Sequence, residues 1–144
     1  MRWYEGAAKP SDAAEKVASF VAGARRRVKE RRAKAWLTAA VMGSATCGRS
    51  VGQEWGTWID RGFVDYAVPM DYFAGSVQFA EALRRQAPRA GRTVCGLGVS
   101  AKESQLNRAQ TLERVRQARK AGFAGVALFD LDDNLARKVL PGLF

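Results

Sequence analysis

Four stretches of this sequence are apolar almost from end to end, and segments of helical period separate them. That alternation restricts the fold more than any other feature. The stretches are AWLTAAVMG (35–43), FVDYAVPMDYF (63–73), TVCGLGVS (93–100) and GVALFDLD (125–132), each of strand length. They do not alternate apolar with polar residues, the pattern of a strand with one face in water. Strands buried on both faces read as continuous apolar runs, so both faces are expected to be covered. Strands of this kind separated by helices imply a parallel sheet in an α/β fold.

The intervening segments carry the helical stripe. From Ser11 to about Lys34, the residues Ala14, Val17, Ala18, Val21, Ala24 and Val28 recur at three- and four-residue steps. Ser50 and Gln53 have capping-box spacing and are expected to open a short helix with Val51, Trp55, Trp58 and Ile59 on one stripe. Gly62 suits its C′ position. A helix over 76–88 places Phe79, Ala80, Leu83 and Ala87 inward and stops at Pro88. Another over 106–122 turns Leu112, Val115 and Ala118 inward and ends at Gly122, and NLARKVLPGLF forms a last short helix. Four βα units behind a leading helix allow a small doubly wound sheet or half of a (β/α)8 barrel, which takes about 250 residues when complete. In both, ligands bind at the carboxyl ends of the strands.

Those ends are MGSATCGR, MDYF, GVSAKES and FDLDDN, all polar or small after apolar middles. Asp71 follows an apolar strand directly and adjoins Tyr72, which makes it the first candidate for a site acid; a turn or capping aspartate is the alternative. Tyr72 suits orientation of a sugar hydroxyl or carboxylate, or a position on the rim. Asp130 ends the last strand, while Asp132 and Asp133 are expected to begin the final helix, where carboxylates favour the positive end of the dipole. The Gly-Leu-Gly at 96–98 resembles a phosphate loop but lies within a strand and lacks a third glycine, so close packing is expected there instead.

Composition narrows the chemistry. The 144 residues, 47% hydrophobic and 10% aromatic, suffice for a single domain with one sizeable core. With no histidine, Ser-His-Asp and Cys-His nucleophile pairs are excluded. The two cysteines, Cys47 and Cys95, are too few for a cysteine-rich metal site and are expected to be buried free thiols, with a disulfide between them as the alternative. No metal and no cofactor are therefore expected. The net charge of +10 is densest in ARRRVKERRAK (24–34), which reads as a solvated helix face. Trp55 and Trp58 lie beside Glu54 and Asp60, a poor base-stacking platform, so a nucleic-acid partner is disfavoured. No apolar run reaches the roughly 20 residues that cross a membrane. MRWYEG has no secretory h-region, so the chain reads as cytosolic if Met1 is its start.

The segment SVGQEWGTWIDRGFVDYAVPMDYF (50–73) resembles the Gln-(Asp/Glu)-Trp-x-x-Trp-x-x-x-Gly-x-Val-Asp-x-x-x-Pro-Met-x-Tyr signature of the family-10-like glycosyl hydrolases, which are (β/α)-barrel proteins. LTAAVMG is similar to that family's fifth barrel strand, GRTVCGLGVS to its seventh and ARKAGFAGVALFDLDDN to its eighth, so the resemblance spans about Ser11 to Phe144. It implies the C-terminal half of a barrel glycosidase, a hydrolase of poly- or oligosaccharides. Met1, Arg2 and Trp3 match the tail of the family's fourth-strand motif. On this resemblance the chain would begin just after a catalytic-type acid, and a signal on an absent N-terminal half would make the protein an exported one.

Glycoside hydrolysis uses two carboxyl groups, about 5 Å apart for retention and farther for inversion. Asp71 and Glu103 are the expected catalytic pair, Glu103 because barrel glycosidases often place a nucleophile in the loop after that strand. Arg2, Trp3, Met70, Tyr72, Ser100 and Asp130 are the expected substrate contacts, with Trp3 a sugar platform and Arg2 an anion clamp. The alternative is a non-catalytic module that binds sugars or anions. Half a barrel has two open sheet edges, which imply a homodimer or a complementary N-terminal half barrel as partner.

Overall fold

The computed structural model describes residues 10–141 and 143. A long helix α1 (Pro10–Arg31) leads to strand β1 (Thr38–Met42), then to two short helices, α2 (Ala45–Ser50) and α3 (Trp55–Asp60). Strand β2 (Tyr66–Met70), helix α4 (Ser76–Gln86), strand β3 (Val94–Gly98), helix α5 (Arg108–Lys120) and strand β4 (Gly125–Phe129) follow, and a π-helical turn (Leu135–Val139) closes the described chain. The four strands form one all-parallel sheet in the order β1-β2-β3-β4. This is a mixed α/β fold whose strand order follows chain order without reversal, so it has no topological switch point.

Two apolar clusters cover one face of the sheet. Val41 and Ala67 pack with Ala18 of α1 and with Trp58 and Ile59 of α3. Cys95 and Leu97 pack with Phe79 and Leu83 of α4, Ala118 of α5, and Leu135 and Val139 of the last turn. Among the described residues, none covers the opposite face. Thr38, Ala40 and Phe129 are exposed there, and Tyr66, Val68, Met70 and Ala127 are only half-buried. The expectation that both faces are covered is thus corrected. Each crossover returns its helices to the same side of the sheet, and an apolar strand looks alike whether its second face meets its own helices or another layer.

The helices begin and end for local reasons, not all of them the expected ones. The capping box expected at Ser50 and Gln53 does not form: Ser50 ends α2, its hydroxyl donating to Cys47 O at 2.8 Å. Gln53 reaches across instead, its Oε1 accepting from the Met42 amide at 2.9 Å. Ser44 caps α2, and the reciprocal capping box is at Asn107 and Gln110, opening α5. Gly62 (φ 69°) ends α3 as expected: its amide donates to Ile59 O and that of Phe63 to Trp58 O, the Schellman pattern that requires a left-handed residue. The inward stripe of α4 is Phe79, Ala82, Leu83 and Gln86 rather than one including Ala80 and Ala87, which are exposed. The α-helix stops just before Pro88, at Gln86, and Pro88 sits in the first turn of a 3-10 helix (Ala87–Arg92), where its missing amide costs little.

Arginines lock the units together through backbone carbonyls. Arg92 donates to Ile59 O at 2.7 Å, to Asp65 O at 3.2 Å and to Val64 O. Arg114, buried on α5, donates to Ala74 O at 2.9 Å and to Phe73 O, and its guanidinium lies 4.7 Å from the Phe79 ring. The basic run on α1 is partly structural. Arg25 and Lys29 reach Asp65 at 3.0 and 3.6 Å, and the Leu37 amide donates to the same carboxylate at 2.7 Å. Burial opposes ionisation of Asp65, but that amide and the two cations together hold its carboxyl below the usual range. Among the described residues, no helix is long and apolar enough to cross a membrane.

Candidate functional site

Strand β2 ends in two residues that the pleat sends to opposite faces. Asp71 turns to the helix side, where it is fully buried. Its Oδ1 accepts from Gln86 Nε2 of α4 at 2.8 Å, and Oδ2 lies 3.8 Å from Cys95 Sγ of β3. Gly43 makes room for it, since a Cβ there would lie 2.6 Å from Asp71 Oδ1. Burial raises the Asp71 carboxyl to about 7, against the opposing pull of the Gln86 and Cys95 bonds. Burial also pushes the Cys95 thiol up, and the neighbouring Asp71 adds to it. Cys95 is a buried free thiol, as expected; Cys47 is free too but exposed, because α2 lies at the surface.

Tyr72 turns the other way, onto the uncovered face. Its ring stacks on Phe129 of β4, with centroids 5.3 Å apart and planes 10° from parallel. Gly98 between them permits the approach: a Cβ there would lie 2.8 Å from Tyr72 Cγ. Burial raises the Tyr72 phenol, and the charges of Asp130 and Glu103 raise it further, which places both carboxylates in its electrostatic range. Met70 shares this face, level with Met42 and Gly96 in the sheet. Gly96 and Gly98 serve close packing, Gly96 against Pro69 O, as expected in place of a phosphate loop.

Beside this group, Ser100 donates to Asp132 Oδ1 at 2.6 Å and accepts from Asn134 Nδ2 at 3.3 Å. Asp132 also accepts from the Leu135 amide at 2.8 Å, so it starts the final helical turn as expected. That amide and the Ser100 hydroxyl hold the Asp132 carboxyl below its ordinary range. A polar recess of about 330 Å³ opens among Ser100, Gln105, Asn107, Asp132 and Asn134.

The structure therefore places Met70 and Tyr72 on the free face at the strand ends, with Ser100 alongside and the charges of Glu103 and Asp130 felt at the phenol, and separates Asp71 from them by the thickness of the sheet. Arg2 and Trp3 lie outside the described residues. Phe129 and Gln86 are the members that sequence reasoning passed over, and the bond of Asp132 to Ser100 was not foreseen. Gln86 carried a signal, being a polar residue at a buried position of the α4 stripe. Among the described residues, no three His, Cys, Asp or Glu side chains converge to hold a metal ion. Compared with known proteins, the chain matches no family model, and no curated protein matches it significantly.

Proposed function

We propose that the chain is the C-terminal half of a (β/α)8 barrel of the family-10-like glycosyl hydrolase type, and that its free sheet face contributes to a cleft for an oligo- or polysaccharide. The strand order supports this reading, because sequential parallel strands with every helix on one side are what an arc of such a barrel contains. The observation that carries the carbohydrate part is the Tyr72–Phe129 stack at the strand ends, with Glu103 and Asp130 close to the phenol. An aromatic surface flanked by carboxylates suits a sugar, whose C–H faces are apolar and whose rim is hydroxyl.

The carboxyl groups on the cleft side are Glu103 and Asp130. Both are exposed, and either could serve as one member of a hydrolytic pair. Asp71 lies behind the sheet and does not reach a sugar in the cleft; on this reading it shapes the end of β2. NMR titration of the labelled protein with a panel of neutral and acidic oligosaccharides tests the reading. Amide shifts clustered around Tyr72, Ser100 and Phe129 are expected, and Tyr72→Ala should weaken binding about tenfold, a loss of about 1.4 kcal/mol. A folded protein that binds none of the panel would overturn it.

A further inference from the structure

The uncovered face and the two open edges of the sheet belong to one surface with an unusual property. The strands read TAAVM, YAVPM, VCGLG and GVALF, without a charged residue among them, although the chain carries a net charge of +10. All of that charge lies off the sheet. Among the described residues, the outer edge of β1 has no strand partner at one end, and at the other neither has β4. Exposed parallel edges beside an apolar face are a liability that proteins cover.

We infer that the occupant is a second copy of this chain, and that two copies close a ring of eight parallel strands. The inference rests on reading the sheet as an arc of a barrel. An occupant must offer two free edges running in the same direction and an uncharged face between them. A second copy, turned by a two-fold axis parallel to the strands, offers both: β4 of each chain meets β1 of the other, and no edge is left. Such a contact is isologous and closed, so it stops at two.

Area and shape agree with this occupant. The chain exposes 9422 Å², whereas a compact monomer of 15.8 kDa exposes about 7,300 Å². That excess is more than twice the roughly 800 Å² that each partner gives to a standard interface. Trp36, just before β1, is 73% exposed, and the bottom of β4 offers only Gly125 and Ala127 on that face. A groove of about 410 Å³ also lies along the β4 end, with Leu112, Val115, Phe123 and Val126 as its apolar lining and Arg116 and Arg119 at its side. Helix α1, which packs on the β1 end, holds Phe20 76% exposed. Knob and hole thus sit at opposite ends of one sheet, where a two-fold brings them together twice.

Light scattering coupled to size exclusion, over a concentration series of the whole chain, tests the inference. A species near twice 15.8 kDa is expected. Ala40→Asp, midway along the edge strand β1 on the free face, and Phe20→Glu, on α1, both replace residues exposed in the single chain. Both should run at the monomer mass with unchanged circular dichroism, and if Ala40→Asp fails to fold, Phe20→Glu carries the test. A folded monomeric wild type, an open-ended series of larger species, or variants that all stay dimeric would each overturn it. A monomer that binds oligosaccharide would sink this inference and spare the cleft; a dimer that binds none would do the reverse.

Discussion

Asp71 and Tyr72 are joined by one peptide bond, yet they belong to two different sites. Asp71 is sealed behind the sheet with one amide donor and one thiol for company, and its carboxyl titrates near neutrality because it is buried. Tyr72 faces the open side, stacked on Phe129 and raised in pKa by burial with help from two carboxylates. The alternation of a strand is enough to make this split. A perturbed carboxyl beside a sugar-compatible aromatic is therefore not one active site here, and its titration is first a matter of stability.

The contrast is broken most directly at Asp71. Its folded carboxyl titrates at about 7 against an ordinary 3.8, so the folded state holds the proton more tightly. Below about pH 4 the group is neutral in both states and costs nothing. Stability falls as the pH rises from there through 7, and above 7 the full penalty of about 4 kcal/mol applies. Asp71→Asn should remove this slope, making the protein up to about 4 kcal/mol more stable than wild type at pH 9 and nearly equal at pH 4. Urea unfolding at the two pH values measures it; parallel pH dependence in both proteins would show that the carboxyl is not sealed.

Gln86 sharpens the same side. Gln86→Leu leaves Asp71 Oδ1 without its donor and should cost about 1–3 kcal/mol at neutral pH. The fall in stability should also extend to higher pH, since the lost bond favoured the ionised form. A uniform loss at every pH would mean a packing defect alone.

On the open side the effects are smaller. Tyr72→Phe keeps the stacked ring and should change stability by no more than about 0.5 kcal/mol. Glu103→Gln and Asp130→Asn should each bring the Tyr72 phenol down toward its ordinary value, without reaching it, because burial is the larger cause. Difference ultraviolet titration against Tyr72→Phe reads this. An unmoved phenol in both variants would place those carboxylates away from the ring.

Much of the fold was legible because it is local. The stripe of Ala18 and Val21, the stop at Gly62 and the capping role of Asp132 depend on neighbours a few residues away. Gln53 was misread because a carboxamide three residues after a serine can turn back to a helix start or across to a strand, and spacing does not tell which. The open face was illegible for a deeper reason. Ala40, Val68 and Ala127 are apolar in view of a layer that local sequence cannot describe, and the pairing of Asp71 with Gln86 crosses from strand to helix over fifteen positions. Sequence marked the end of β2 as special without showing which residue faced the open side.

Thr38, Tyr66, Val94 and Gly125 open the four strands at intervals of 28, 28 and 31 residues, and among the described residues each strand pairs only with its neighbours in sequence. No pairing waits for a distant part of the chain, so every closure spans about one such interval, and the entropy of closing it stays nearly constant from step to step. Assembly can then proceed by accretion, each interval docking on the one already in place. The same modularity lets a gene lengthen or shorten such a sheet by one interval without rewiring those that remain.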